Sequence, residues 1–202
     1  MYNHPLFRNV DIKKYEHLFI HKKFAPNTLI FHEGEDCNKL GIIIKGQLVI
    51  STMTPTNKEY IINIINHYEI FGDTLLFSNK TLYLGDGITS KETEILFISK
   101  DVLLEMFKDQ TFLLNFLSST AQKSKDLRDR LKLLSHKSIE ERLLFYLDSE
   151  RKKIKTNKIP INSKEALAQL LNIPRPSLSR ELIRLKEKNI IDYNRYYIIL
   201  MI

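Results

Sequence analysis

Residues 162–191 constrain the fold of this chain most, because they have the pattern of two short helices joined by a tight turn. Asn162 and Glu165 stand three residues apart, which fits a capping box at the start of the first helix. Asn172 follows that helix's apolar residues, and asparagine tolerates the left-handed backbone of a turn. Pro174 is acceptable only at the beginning of a helix, so the second helix is predicted to start near it. The stretch therefore predicts a helix-turn-helix.

The second helix of the pair carries arginines on its outer side. At about 100° per residue, Leu178, Leu182 and Leu185 share one side, which leaves Arg180 and Arg184 on the opposite one. Arginine suits guanine edges in a major groove, and serine suits phosphates or bases. The pattern predicts DNA binding; the alternative is a solvated amphipathic helix in any small domain.

Positive charge is concentrated in the same part of the chain. The net formal charge is +7, and residues 137–202 hold 14 basic and 8 acidic residues against 17 and 16 in residues 1–136. Such a basic module supplies salt-dependent attraction to phosphate. No signal peptide or bilayer-spanning apolar run is found, so we expect a cytoplasmic protein without a membrane partner.

The first hundred residues have a different pattern, with short β-prone segments separated by turn residues. Many short strands at regular spacing predict an antiparallel barrel or sandwich. The predicted strands are residues 28–33, 41–45, 47–53, 59–65, 81–84 and 93–98. Residues 100–106 are predicted to form a short helix and residues 111–135 a long one.

The long helix has apolar residues at alternating spacings of four and three, the pattern of a coiled-coil seam. We predict that the seam pairs two copies of the chain, because a lone exposed helix of this length is marginal in water. A core helix packed on the barrel is the alternative. The seam residues are Leu113, Leu117, Thr120, Ser124, Leu127, Leu131 and Leu134.

The order of parts is similar to that of the cyclic-AMP receptor / fumarate–nitrate regulator (CRP/FNR) superfamily of bacterial transcription factors. The matching segments, which are spread over essentially the whole chain, are Phe31–Asp36, Ile42–Leu48, Phe71–Asp73 and Ser177–Leu182. The resemblance implies an α+β fold. It comprises an antiparallel β-roll sensor (a cyclic-nucleotide-binding-like jelly roll) at 1–110, a dimerisation helix and hinge at 111–136, and a winged helix-turn-helix at 137–202.

The resemblance also implies roles for individual residues of the C-terminal part. Arg175 and Arg180 match positions that commonly contact bases or phosphates, whereas Pro176 stands where several members carry a base-reading glutamate. Residues 192–200 look like a two-strand wing that turns at Asn194. The predicted DNA-contacting residues are Arg175, Ser177, Ser179, Arg180, Arg184 and Arg195.

The predicted effector pocket departs from the family pattern. Its residues are Gly72, Asp73, Tyr83 and Leu84, and the last two stand where cyclic-nucleotide-binding members carry Arg and Ser. A buried phosphate would lack its cation and lie near Asp86, at a cost of several kcal/mol. We therefore predict that the pocket does not bind cyclic AMP.

The sequence favours a homodimeric regulator that binds a near-palindromic double-stranded DNA site, with an unknown small-molecule effector or none. RNA polymerase is a candidate partner, although no residue pattern identifies a surface for it. One alternative is a small-ligand or cyclic-nucleotide receptor whose output is not DNA binding. An enzyme is disfavoured because no catalytic motif is found.

We expect no cofactor and no metal site. A single cysteine, Cys37, excludes an intramolecular disulfide and a four-cysteine iron–sulfur cluster or zinc site within one chain. As a thiol sensor it would lack a basic residue closer than Lys39 to lower its pKa. Histidine can also ligate haem, and the candidate ligands are His4, His17, His21, His32, His67 and His136.

Overall fold

The computed structural model describes residues 3–201, which divide into two compact units between Gln122 and Lys123. The first unit begins with 3-10 turns at Pro5–Phe7, Ile12–Lys14 and Glu16–Leu18. Its strands are β1 (Ile20–Phe24), β2 (Leu29–Phe31), β3 (Lys39–Lys45), β4 (Leu48–Met53), β5 (Glu59–Ile65), β6 (Ile70–Phe71), β7 (Asp86–Thr89) and β8 (Thr93–Ser99). Helix α1 (Lys100–Met106) follows, and helix α2 (Gln110–Ser135) continues into the second unit.

The strands of the first unit form two antiparallel sheets, with strand orders β1-β8-β3-β6 and β2-β7-β4-β5. Strand β3 is buried on both faces because its side chains alternate between two cores. Ile42 packs with the buried residues of α1 and of the start of α2, whereas Ile43 packs with Phe31 and Leu48 in the interior of the roll. This arrangement confirms the predicted antiparallel β-roll.

One strand prediction is wrong, and one edge strand was missed. Residues 81–84 form no strand: Leu82 makes only an isolated bridge to Asp36, and the strand β7 begins later, at Asp86. The chain reaches the sheet at Gly85, just before β7. The glycine lies so close to β4 that an added Cβ would be 2.5 Å from the carbonyl oxygen of Ser51. Strand β1 was not predicted because it is an edge strand whose exposed, basic residues have no apolar alternation.

The second unit contains α3 (Ile139–Ile154), β9 (Lys158–Pro160), α4 (Lys164–Leu170), α5 (Arg175–Glu187), β10 (Ile191–Tyr193) and β11 (Tyr197–Leu200). Its core is built on leucines that are fully buried at helical spacing, because each helix presents one apolar face to the others. Leu143 and Leu147 come from α3, and Leu178, Leu182 and Leu185 come from α5.

The helix-turn-helix is confirmed, with one correction at its start. Asn172 has a φ of 53°, as predicted for the turn, and α5 begins at Arg175 with Pro174 as its N-cap. The predicted capping box of Asn162 and Glu165 is wrong: Ser163 is the N-cap of α4, and its Oγ accepts the amide of Ala166 at 3.0 Å. The helix starts one residue later than the pattern indicated because the serine hydroxyl supplies the acceptor.

The wing turns at Asn194, as predicted, because its side-chain Oδ1 accepts the amides of Tyr196 and Tyr197 at 2.7 and 3.1 Å. Strands β10 and β11 pair antiparallel on either side of this turn. Strand β9 pairs with β11 and was not predicted, which makes the wing sheet three-stranded.

Candidate DNA-binding surface and effector pocket

The outer face of α5 presents Arg180, one of the predicted arginines, to solvent. Burial of Leu178, Leu182 and Leu185 fixes which side of the helix faces inward, so Arg180 is left on the opposite side. The guanidinium of Arg180 lies 3.4 Å from the hydroxyl of Ser177, one turn earlier. The N-terminal half of α5 therefore offers a cation and a hydroxyl together, which are groups suited to base edges and phosphates.

A cleft of about 650 Å³ separates the wing turn from the beginnings of α4 and α5. Arg175, the first residue of α5, lines it, and its guanidinium lies 3.5 Å from the carboxylate of Glu165. Arg195 lines the cleft from the wing turn and lies over the ring of Tyr196 at 5.9 Å. Lys164 adds a third cation to the cleft. The cleft is thus bordered by positive side chains from α4, α5 and the wing.

The wing is attached to the helices through Tyr193. The ammonium groups of Lys164 and Lys186 lie over its ring at 4.7 and 5.7 Å, and cations are attracted to aromatic faces. Lys186 also lies 2.6 Å from Asp192, and this contact raises the pKa of the lysine and lowers that of the aspartate. Sequence reasoning missed Lys164, although a lysine in the first turn of a helix-turn-helix is a readable signal.

Arg184 has a different environment from the other predicted arginines. Its Nη2 lies 2.6 Å from carboxylate oxygens of both Glu181 and Glu140, and these hydrogen bonds raise its pKa. Glu140 belongs to the first turn of α3, so the pair connects α5 to α3. Ser179 is half-buried on α5. A DNA contact by Arg184 remains a prediction, and it requires at least one of these ion pairs to open.

The predicted seam of α2 is largely uncovered. Leu117, Leu127 and Leu131 are exposed over 53%, 60% and 61% of their surface, and Ser124 is exposed between them. The remaining members, Leu113, Thr120 and Leu134, are half-buried. An amphipathic helix needs a partner for its apolar side, and this row of leucines has none within the described part of this single chain.

The predicted effector-pocket residues do not all come together. Gly72 has a φ of 81°, and a Cβ there would lie 3.0 Å from Cys37 Sγ; Asp73, the next residue, is buried. Tyr83 lies at the same place, with its hydroxyl close enough to the Cys37 thiol to influence its pKa. Burial is the main cause of the strongly raised pKa of Tyr83. Leu84 is exposed over 68% of its surface and does not join the other three.

Aromatic rings of the protein itself fill the interior of the roll. Tyr83 stacks on Phe31 with the ring centroids 3.7 Å apart and the planes at 11°. Phe71 lies 5.7 Å from the ring of Phe31. Two glycines make room for these rings: a Cβ on Gly87 would lie 2.3 Å from Phe31, and one on Gly41 would lie 2.1 Å from Phe71. Side chains thus occupy the space between the sheets.

Cys37 is buried in the neighbouring core cluster, and burial raises the pKa of its thiol. Its Sγ donates to the carbonyl oxygens of Lys39 and Gly72 at 3.5 and 3.7 Å. Within residues 3–201, no cluster of three or more His, Cys, Asp or Glu side chains is arranged to hold a metal ion. In the same residues, no helix combines the length and apolar content needed to cross a membrane.

Comparison with known proteins assigns both units to known families. A model of the cyclic nucleotide-binding domain matches residues 21–110, and a model of the Crp-like helix-turn-helix domain matches residues 141–201. The anaerobic regulatory protein of Bacillus subtilis is 24% identical over 178 residues, which cover 85% of this chain and 75% of that protein. The cAMP-activated global transcriptional regulator CRP of Haemophilus influenzae is 31% identical over 113 residues, 56% of this chain and 49% of that one.

Solved structures show the same fold. The catabolite activator protein of Thermus thermophilus aligns with a TM-score of 0.54 at 18% identity, over 97% of this chain and 93% of that one. A CooA mutant from Carboxydothermus hydrogenoformans aligns with a TM-score of 0.58 at 16% identity, over 92% and 85%. With a nucleotide-binding-type β-roll followed by a Crp-like helix-turn-helix, the chain belongs to the CRP/FNR superfamily of DNA-binding transcription regulators, a family that is not one of enzymes.

Proposed function

We propose that the protein is a homodimeric regulator that reads a near-palindromic operator with helix α5. The observation that carries the proposal is the placement of Arg175, Arg180 and Arg195. The first two lie on the exposed N-terminal half of α5 and the third lies across the cleft on the wing, all in one unit. In this arrangement, α5 enters a major groove while the wing contacts the adjacent phosphates.

The dimer is formed along helix α2. Its exposed leucines, Leu117, Leu127 and Leu131, repeat at coiled-coil spacing, and a second copy of the same helix covers them best. Two-fold pairing places two α5 helices on successive major grooves, about 34 Å apart, which is why the operator has two-fold symmetry. RNA polymerase is the partner through which a regulator of this family would act, and the cytoplasm is where it would meet the chromosome.

The β-roll does not respond to cyclic AMP, although the name of the Haemophilus influenzae relative describes that protein as cAMP-activated. A cyclic phosphate needs a cation to offset its burial. At the predicted site, Tyr83 is instead stacked on Phe31 and lies beside Cys37. The ring would have to leave its place before a nucleotide could enter, and no positive charge would be gained in exchange.

Selection of bound duplexes from a random pool tests the DNA-binding part of the proposal. Enrichment of a two-fold symmetric site is expected with the full-length protein, and failure to enrich any such site would refute it. Isothermal titration with cyclic AMP and cyclic GMP tests the sensor part separately. We expect no heat of binding at micromolar ligand, and micromolar affinity for either nucleotide would contradict the role given to Tyr83.

A further inference from the structure

A second cavity lies wholly inside the C-terminal unit, away from the cleft beside the wing. It is open to solvent and has a volume of about 510 Å³ between the end of α2, the middle of α3 and the outer side of α4. This volume is within the range of sites that bind small organic molecules. Because α4 is the first helix of the helix-turn-helix, residues of both the dimer helix and the DNA-binding motif line the cavity.

The floor of the cavity is apolar and partly aromatic. Leu133 of α2, Phe145 and Tyr146 of α3, and Leu170 of α4 line it. The ring of Phe145 already attracts one cation, because the ammonium of Lys132 lies 5.3 Å from its centroid. An aromatic floor of this kind suits a flat apolar molecule and tolerates a positive charge next to it.

The rim of the cavity has an excess of negative charge. Three carboxylates line it, from Asp126, Asp129 and Glu150, against the two cations of Arg130 and Lys153. Lys153 lies 2.7 Å from Glu150, and that hydrogen bond, together with the charges of Asp129 and Asp126, raises the pKa of the lysine. The charge of Glu150 also adds to the effect of burial in raising the pKa of Tyr146.

The cavity stays open in the proposed dimer. At 100° per residue, the side chains of α2 that line the cavity point about 130° away from the seam of Leu127 and Leu131. A partner helix on the seam therefore leaves the cavity face of α2 uncovered. This step rests on the proposed dimer, whereas the existence of the cavity does not.

We propose that this cavity binds a small molecule with a flat apolar body and a protonated amine. The body lies over Phe145 and Tyr146, and the ammonium lies between Asp129 and Glu150 at the rim. Such a molecule touches α2, α3 and α4 together. Its binding therefore favours one arrangement of these three helices and changes the affinity of the helix-turn-helix for DNA.

The test uses two probes with the same ring system and opposite charge, 1-naphthylmethylamine and 1-naphthaleneacetate. Because the chain contains no tryptophan, the fluorescence of the naphthyl group can be followed without interference from an indole. Titration of the full-length protein is expected to show saturable binding of the amine and at least tenfold weaker binding of the carboxylate. Absence of saturable amine binding, or equal binding of the two probes, would overturn the proposal.

Two variants locate the bound probe. Asp129→Lys is expected to weaken amine binding about tenfold or more, as for the loss of a charge-assisted contact. Glu59→Lys makes the same change of net charge on an exposed residue of β5 and should leave it unchanged. Ala166→Phe, at an exposed position of α4 that lines the cavity, is expected to block both probes. Unaltered binding to Asp129→Lys and Ala166→Phe would place the probe elsewhere and refute the site.

Coupling to DNA is measured in the same samples by the affinity for a selected duplex, with and without saturating amine. A change of affinity that disappears in Ala166→Phe is expected. An affinity that stays constant at saturation overturns the coupling. Failure of the free protein to bind any duplex would count against the proposed function and not against the cavity, whose occupancy is read from the probe itself.

Discussion

Replacing Tyr83 tests whether its ring is a structural part of the β-roll. The side chain stacks on Phe31, and its hydroxyl lies beside the Cys37 thiol. Truncation of a packed aromatic residue costs about 3–5 kcal/mol, and the lower end applies because Tyr83 is only half-buried. Removal of the hydroxyl alone, in Tyr83→Phe, costs about 1 kcal/mol.

The assay uses the single cysteine of the chain. Cys37 is only 3% exposed, so a thiol reagent reacts with it when the first unit opens. If opening is fast relative to labelling, the rate follows the opening equilibrium, and 1.4 kcal/mol corresponds to a factor of ten. Tyr83→Ala is therefore expected to label roughly a hundredfold faster than the wild type, and Tyr83→Phe about fivefold faster. The urea dependence of the rate separates global from local opening, because its slope scales with the surface exposed.

Leu84→Ala is the matched control, because this neighbour of Tyr83 is exposed over 68% of its surface. Its labelling rate is expected to stay within a factor of two or three of the wild type, as for a typical surface substitution. If Tyr83→Ala labels no faster than Leu84→Ala, the ring does not contribute to the packing, and the argument that it blocks a ligand site fails.

Three further predictions concern the second unit and the seam. Ser138→Ala removes the acceptor of the Glu141 amide at 3.1 Å and is expected to lower the free energy of unfolding by about 1 kcal/mol; an unchanged urea midpoint would contradict the capping box. Leu127→Glu is expected to convert the dimer to monomer in sedimentation experiments, and a surviving dimer would refute the α2 seam. Arg180→Ala should relax base preference at a cost of about 1–3 kcal/mol, whereas Arg195→Ala should weaken binding to all duplexes alike and reduce the salt slope by about 1; indistinguishable anisotropy titrations would refute these separate roles.

The features that the sequence predicted correctly are those set by neighbouring residues. The leucines of α5 repeat with the period of a helix, and the left-handed turn at Asn172 depends on one residue type. Helix α1 was predicted at its observed bounds, residues 100–106, and in the structure Ser99 caps it. Such signals involve residues close together in the chain, so the sequence alone is enough to recognise them.

The features that were not predicted depend on residues far apart in the chain. The sequence pattern places Arg184 on an exposed helix face, but in the structure its guanidinium forms an ion pair with Glu140, 44 residues earlier. Tyr83 was recognised as a departure from a binding pattern, yet its stacking on Phe31 follows only from the folded roll. The correct pattern of one helix or strand therefore does not say which of its polar groups are already engaged.

The two prolines at the start of α5 change how that helix can attract a phosphate. A helix N-terminus ordinarily binds anions through its free backbone amides. Here Pro174 and Pro176 carry no amide hydrogen, and Ser177 donates its own to the carbonyl oxygen of Pro174 at 2.9 Å. Backbone capture of a DNA phosphate is thus reduced to the amide of Arg175. In the proposed complex, attraction at this end of the helix therefore comes from side chains, namely the guanidinium groups of Arg175 and Arg180 and the hydroxyl of Ser177.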